Sequence, residues 1–477
     1  MVCFSWILAK GWEFIKGDIS GAFLQGEPLG RQHVWIKFPQ ELVDLGLCPS
    51  AKRWRQILKA VYGMNEAPRK WWLALVSFAV TLGFVTSLMD PCLLILVWDG
   101  EVVAFLAIYV DDLIGAGTQE WAGWVMVKIS ERYPMGQLEN SWECKQVSYT
   151  GTDVKLFRGK DGKLERITLD QQAYVESKFP PAIADLEKVV AEKKDPSALL
   201  APAGADVFRS GNGKLAWTGN TRPPESFSIS ELASAAKAPT MSCAKKLLKL
   251  LRQILATASE GISLRKLDWR KLMVLGFGDA SFANRGERTQ GGFAVVLTEG
   301  KQDADIPVKV TRVLPCLSRT GSPGGRGNIA MYRSTKIGRV CVGTFDAETI
   351  ESVETSDAAM LVAYLLSELK TGRMQSIAER VLMHGYGQLT GTGISRPAVY
   401  VELLSDGNGT VTAVHSTKPV SNKRRRIDIA LLRELVDHKF LQFRHVSTEK
   451  MVADALTKAM PCGSLRALAN ENVFDMP

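Results

Sequence analysis

The sequence predicts a multidomain chain of mixed α/β and α+β character, and three observations predict it. Its 477 residues suffice for two or three domains, each able to bury its own core. Hydrophobic residues make up 46% and charged residues 23%, an ordinary globular balance in which disorder is not the default. Periodicity then divides the chain: helical and strand-like patterns alternate to about residue 150, dilute into Pro, Gly and Ser, and return as a β-rich pattern from about Lys271. The domains expected are therefore 1–150, 151–265 and 266–477, with a flexible stretch near 180–230.

Charge and cysteine usage narrow the classes further. Lys and Arg exceed Asp and Glu by nine, with a sequence pI near 9.0, a balance that suits a polyanionic partner. The eight cysteines form no C-x-x-C pair and no Cys/His cluster, which argues against a zinc module and against a secreted disulfide framework. No apolar run reaches the roughly 18 residues of a membrane span, and the opening MVCFSWILAK is too short for a signal peptide. An intracellular, soluble protein with no membrane partner is expected.

In the first region, WEFIKGDISGAFLQGEP sets Asp18 at the end of a strand-like stretch, ahead of Phe23. LLILVWDGEVVAFLAIYVDDLIGAG follows, with two apolar runs flanking Asp99-Gly100, a hairpin signal. The second run ends in Tyr109-Val110-Asp111-Asp112, and a short third run starts at Leu113. Two adjacent carboxylates in a tight turn between apolar strands are unfavourable unless cations or protons compensate. An exposed acidic turn is the plainer alternative.

In the middle region, AEKKDPSALLAPAGAD and RSGNGKLAWTGNTRPPESF read as loop or linker. A helix from about Ser230 to Ala258 follows, carrying Leu247, Leu248, Leu250, Leu251 and Ile254 on one side. In the last region three segments place acids at element ends: Asp279 in GFGDASFANRGERTQGGFAVVL, Glu348 in FDAETIESVETSDAAMLVAYLL, and Asp406 in VYVELLSDGNGTVTAV. Asp454 lies in RHVSTEKMVADALTKAMP, and four basic residues, Lys423, Arg424, Arg425 and Arg426, open an amphipathic helix. Singly, each acid is more often a solvated turn or helix residue than a ligand. LSRTGSPGGRGNIAMYR and ERVLMHGYGQLTGTGISRP show no clear period and look like insertions.

Taken in order, these segments resemble the reverse transcriptase and RNase H region of copia-type LTR retrotransposon Pol polyproteins. Asp18 with Ala22-Phe23-Leu24, the stretch LKAVYGMNEAPRKWW, the YVDD turn, and SYTGTDV with ITLDQQAYVESKF match four polymerase motifs across about 165 residues. Asp279, Glu348, Asp406 and Asp454 follow the Asp, Glu, Asp, Asp order of RNase H, whereas an integrase carries Asp, Asp, Glu; ADALTK matches the family ending.

The resemblance implies a right-hand palm whose antiparallel sheet carries Asp18 and the YVDD turn, a helical thumb and connection, and an RNase H-like domain with a mixed five-stranded sheet. It implies two Mg2+ (or Mn2+) ions per active site, held by Asp18, Asp111 and Asp112 in one and by Asp279, Glu348, Asp406 and Asp454 in the other. Oxygen ligands without His or Cys agree with a hard cation.

By the same resemblance Phe23 screens the 2′-position of the incoming nucleotide, with a core phenylalanine as the alternative. Tyr62, Gly63 and Tyr109 meet nucleotide and template. Arg69 and Lys70 are phosphate contacts or a solvated helix face, and Lys423 to Arg426 are phosphate contacts, with a nuclear-import signal as the weaker option. The implied partners are RNA template, DNA primer, RNA–DNA hybrid and deoxynucleoside triphosphates. The implied location is a cytoplasmic virus-like particle, with nuclear entry besides.

Seventeen residues precede Asp18, where family members carry a fingers subdomain, so a polyprotein fragment with its fingers missing is expected. The competing expectation is a truncated, catalytically inactive remnant that at most binds nucleic acid.

Overall fold

The apolar run VCFSWILAK closes into helix α1 (Val2–Lys10), ended by Gly11 in the left-handed conformation. In the computed structural model, residues 1–30, 34–49, 54–192, 195–285, 288–300, 325–373 and 397–475 are described. They divide into two compact units, Glu13–Cys144 and the pair of segments Met1–Trp12 and Lys145–Pro477. The division falls between Cys144 and Lys145 and assigns the first twelve residues to the second unit. Helix α1 joins the C-terminal unit because its apolar face, Phe4, Trp6, Ile7 and Leu8, is buried there, with the Trp6 ring 6.2 Å from that of Trp269.

The Glu13–Cys144 unit runs β1 (Glu13–Asp18), α2 (Ala22–Gln25), β2 (Trp35–Lys37), α3 (Gln40–Asp44), β3 (Trp54–Gln56), α4 (Ala67–Thr81), β4 (Phe84–Thr86), β5 (Leu93–Trp98), β6 (Glu101–Tyr109), β7 (Asp112–Gly117), α5 (Gln119–Arg132) and β8 (Glu139–Asn140). Six strands form an antiparallel sheet in the order β4-β5-β6-β7-β1-β8, and β2 pairs with β3 apart from it. The hairpin at Asp99-Gly100 forms as predicted: Trp98 faces Glu101 in register, and both turn residues have positive φ, 49° and 77°. Leu94, Leu106 and Leu113 of the sheet meet Leu75 of α4 and Met126 of α5 in one core.

The second unit continues with β9 (Gln146–Tyr149), β10 (Thr152–Arg158), β11 (Leu164–Asp170), α6 (Gln172–Val190), α7 (Pro202–Thr218), α8 (Ser226–Ser234), α9 (Met241–Ala256) and β12 (Ile262–Arg265). The strands form a second antiparallel sheet, β12-β11-β10-β9, ahead of and beside the helices of this region.

The stretch read as linker is mostly helix. Pro202 sits at the start of α7, where a missing N–H costs nothing. Gly211 lets Leu186 and Leu247 approach to within 3.4 Å of where its Cβ would stand, and Phe208 and Leu215 are fully buried. Packing overrode composition. The single helix expected over Ser230–Ala258 is instead two, α8 and α9, with the Thr240 hydroxyl capping the second by accepting from Cys243 N at 3.4 Å.

The remaining elements are β13 (Leu272–Arg285), β14 (Arg288–Glu299), β15 (Gly325–Lys336), α10 (Thr344–Thr371), β16 (Tyr400–Ser405), α11 (Asn408–His415), α12 (Arg426–Asp437), β17 (Gln442–His445), α13 (Asp454–Thr457), α14 (Gly463–Glu471) and β18 (Val473–Phe474). They build a mixed sheet in the order β17-β16-β13-β14-β15-β18. β13, β14 and β15 are antiparallel neighbours, whereas β16 and β17 run parallel to β13. Six strands replace the expected five because the short β18 adds to β15.

The first supposed insertion is corrected too, since from Gly325 onward it is strand β15, with Ile329 and Ala330 buried. The second lies outside the described residues except for Pro397.

Candidate active sites

Four elements bring the C-terminal acids together. Asp279 lies within β13, and Asp406 follows directly on the parallel neighbour β16. Glu348 is in the second turn of α10, and Asp454 opens α13. Two glycines permit the convergence. A Cβ at Gly278 would strike Thr355 of α10, and one at Gly292, the register partner of Asp279, would strike Leu456 beside α13's end. Carboxylate oxygens of Asp279, Asp406 and Asp454 all lie within 4.8 Å of one another, the one such set among the described residues. Two of them, Asp279 and Asp406, line a cavity of about 480 Å³ together with Glu348 and Lys458.

The electrostatics of this group follow from burial. Asp279 is 1% exposed and Asp454 4%. Burial, opposed by Lys458 and Thr457, raises the Asp279 carboxyl above its ordinary range. Burial and then Asp279 do the same to Asp406. Glu348 is pushed up to about 9 by burial, with Asp279 and Asp406 adding to it, and its Oε2 atom is buried without a hydrogen-bond partner.

A carboxyl kept protonated by burial and by its neighbours' negative charge is one that a bound cation would ionise. Hard oxygen donors, convergence and an unpartnered buried oxygen fit a divalent ion of the Mg2+ or Mn2+ type.

The N-terminal acids are arranged otherwise. β1 and β7 pair so that Asp18 faces Asp112 in register, and Ile19 N donates to the Asp111 carbonyl at 2.9 Å. Asp18, Asp111 and Asp112 are all half-buried, and Asp18 is raised by burial first, then by Asp111 and Asp112, with Lys16 opposing. Lys16 Nζ lies 3.3 Å from Asp112. The donor chemistry is the same, but this trio is not drawn together as the C-terminal acids are.

The turn is held under strain. Val110 has φ of 57°, which costs a β-branched residue about 1–3 kcal/mol. The buried Trp71 of α4 donates its indole N–H to the Val110 carbonyl at 2.5 Å.

The other predicted contacts divide. Phe23 and Tyr62 come together, ring centroids 4.7 Å apart, with Tyr62 57% exposed. Gly63 has φ of 92° and open space about it, while Tyr109 and Arg69 are exposed. Lys423, Arg424 and Arg426 are exposed, as phosphate contacts require. Arg425 is not: it is buried and ion-paired, 2.7 Å from Asp428 and 3.6 Å from Asp346. Its guanidinium closes the fold, because a buried charge needs fixed partners.

No family model matches the chain. Two Arabidopsis thaliana proteins, the retrovirus-related Pol polyproteins from transposons RE2 and RE1, are 25% and 24% identical to it, each over 94% of the chain and 27% of their own length. The chain is a homologue of copia-type retrotransposon Pol polyproteins. A third Pol polyprotein, from transposon TNT 1-94 of Nicotiana tabacum, is 22% identical over 33% of the chain and 11% of its own length. The chain thus spans about a quarter, 27%, of the length of the first two of these relatives.

Solved structures similar to the chain include RNase H1 from Halobacterium salinarum, 17% identical over 39% of the chain and 93% of that protein, TM-score 0.22. Another is the foamy viral protease-reverse transcriptase in complex with dsDNA, 11% identical over 91% of the chain and 68% of that one, TM-score 0.20.

Three residues at these sites escaped the sequence reading. Trp71 stood in a quoted motif, but nothing in the sequence ties its indole to Val110, 39 residues away. Thr457 and Lys458 stood in ADALTK beside Asp454. Thr457 donates to Asp279, and Lys458 reaches both Asp279 and Asp454. Their i+3 and i+4 spacing from Asp454 on a short helix was the available signal.

Proposed function

We propose that this chain is the reverse transcriptase and RNase H part of a retrotransposon polyprotein, and that its C-terminal site cleaves the RNA strand of an RNA–DNA hybrid. The observation that carries this reading is the convergence of Asp279, Asp406 and Asp454, with Glu348 on the same cavity. Two divalent ions held by these four carboxylates would supply activation of water and charge neutralisation at the departing 3′-oxygen. The chain's own residues arrange this. Asp279 is oriented by the Thr457 hydroxyl, and Asp406 by the Thr448 hydroxyl at 3.0 Å. The exposed Lys423, Arg424 and Arg426 offer charge to the hybrid's phosphates.

The Glu13–Cys144 unit is assigned the polymerase role, extending a DNA primer on an RNA template from deoxynucleoside triphosphates. There Asp18, Asp111 and Asp112 would hold the ions, and the Phe23–Tyr62 pair would pack on the nucleotide. A second reading, a palm that binds nucleic acid without extending it, is favoured by the Lys16–Asp112 ion pair and the unconverged acids.

The test is the purified chain with Mg2+ on a labelled RNA–DNA hybrid, beside an Asp279→Asn, Asp406→Asn double variant. Cleavage that the variant abolishes supports the hybrid-cleaving site. A folded, hybrid-binding protein that does not cleave would sink it. Primer extension on the same preparation separates the two readings of the palm.

A further inference from the structure

Lys458 stands where two buried negative charges would otherwise face each other. Its Nζ lies 2.7 Å from Asp454 Oδ1 and 3.3 Å from Asp279 Oδ2, and among the described residues it is the ion-pair partner of both. The two acids are 4% and 1% exposed, so water does little to screen them. The lysine side chain is 35% exposed, and it lines the cavity next to Glu348 and Asp406.

We propose that Lys458 is the resident counter-cation of the metal-free site. The proposal rests on the reading of the Asp279 cluster as a divalent-cation site. The ammonium compensates the same two carboxylates that a divalent ion needs, so ion and ammonium compete for them. Four methylenes give Lys458 the reach to swing its head out toward the cavity mouth, where a polyanionic substrate would meet it. Thr457 stays behind, its hydroxyl on Asp279, and keeps that carboxylate aimed when the lysine leaves.

The Asp279–Asp454 pair is therefore partly neutralised without metal, and metal loading is weakened by the contacts it must displace. Asp406 is outside this pairing; its partner is Thr448. The competition accordingly falls on the Asp279–Asp454 side of the cluster.

The experiment is Mn2+ titration by calorimetry into the full chain, with thermal unfolding in metal-free buffer, for wild type, Lys458→Gln, Lys458→Arg, and the Asp279→Asn, Asp406→Asn double variant. Lys458→Gln is expected to bind Mn2+ about tenfold more tightly, close to 1.4 kcal/mol. It is also expected to lower the metal-free Tm by about 2–4 °C, a loss that saturating Mn2+ restores. Folding of this variant only with Mn2+ would be the same result in stronger form. Lys458→Arg keeps the charge and should keep the metal-free Tm.

Lys458→Gln affinity equal to or weaker than wild type overturns the proposal. So does a Lys458→Gln chain that stays unfolded with Mn2+, or a Tm loss as large in Lys458→Arg. Wild type that binds Mn2+ while Lys458→Gln is unchanged overturns the counter-cation alone. Wild type that binds none at millimolar Mn2+ overturns the site reading beneath it as well.

Discussion

The two groups of acids solve one electrostatic problem in different ways. In the Glu13–Cys144 unit, three aspartates sit half-buried on adjoining strand ends, and Lys16 takes up part of their charge at 3.3 Å from Asp112. Water does much of the remaining work, and the cost appears in the backbone, as the positive φ of Val110. In the C-terminal unit the acids come from β13, α10, α13 and the residue after β16; Asp279 and Asp454 are buried, Glu348 and Asp406 half-buried, and their charge is compensated by protons and by Lys458. One site is made by a turn, the other by packing. A turn can be strained by one residue; a packed site depends on every surface that closes it.

The largest expected effect separates the two outright. Asp279→Asn should reduce RNA-strand cleavage by at least about 10³-fold while leaving primer extension near wild type, and Asp111→Asn should do the reverse. Loss of both activities in either variant would show that the sites are not independent.

Next in size is a pH dependence confined mainly to the packed site. Glu348 holds its proton in the folded chain up to about pH 9, whereas an unfolded glutamate loses it near 4.3. The unfolded chain therefore binds fewer protons over that window. Metal-free stability should fall as pH rises through it, by less than about 1.4 kcal/mol per pH unit for this one group. Unfolding curves at pH 5 to 9 should show the slope. Glu348→Gln should flatten it without removing it, because the raised Asp279 and Asp406 act in the same direction. An unchanged slope would mean that Glu348 is already ionised.

Trp71→Phe probes the turn. It leaves the Val110 carbonyl without its indole donor, and about 1–3 kcal/mol of stability should go with it. Primer extension should fall and hybrid cleavage should not, as measured on one preparation. The smallest effect belongs to Lys16→Met. The pair is half-buried and Asp112 keeps access to water, so its loss should cost about 1 kcal/mol and move denaturant midpoints only slightly.

Legibility in the sequence followed the same divide. Asp99-Gly100 and the YVDD turn were readable because a hairpin is local: the residues that meet are neighbours in the chain. The C-terminal acids were found in order through family resemblance, and their order says nothing of how deep they lie. The depth comes from Gly278 and Gly292, which matter only through Thr355 and Leu456, far along the chain. Arg425 was misjudged for a related reason. Four basic residues in a row look alike until Asp346, 79 positions earlier, selects the one that points inward. The supposed linker failed on composition, since Pro202 and Gly211 fit their helix through position and packing, which residue counts do not register.

Helix α1 carries a consequence for how the chain is assembled in time. It leaves the ribosome well before what it packs on: Trp269 meets Trp6 edge-on, Lys10 lies 4.1 Å from the Trp269 ring, and Asn328 donates to the Ser5 hydroxyl at 3.3 Å. All of Glu13–Cys144 emerges between the two halves of that contact. The inserted unit can fold while the ribosome is still at work; the unit around it must wait for a loop of more than 250 residues to close. Until then the apolar face of α1 waits for Trp269 and its neighbours, and a nascent-chain chaperone has an obvious client in Val2–Lys10.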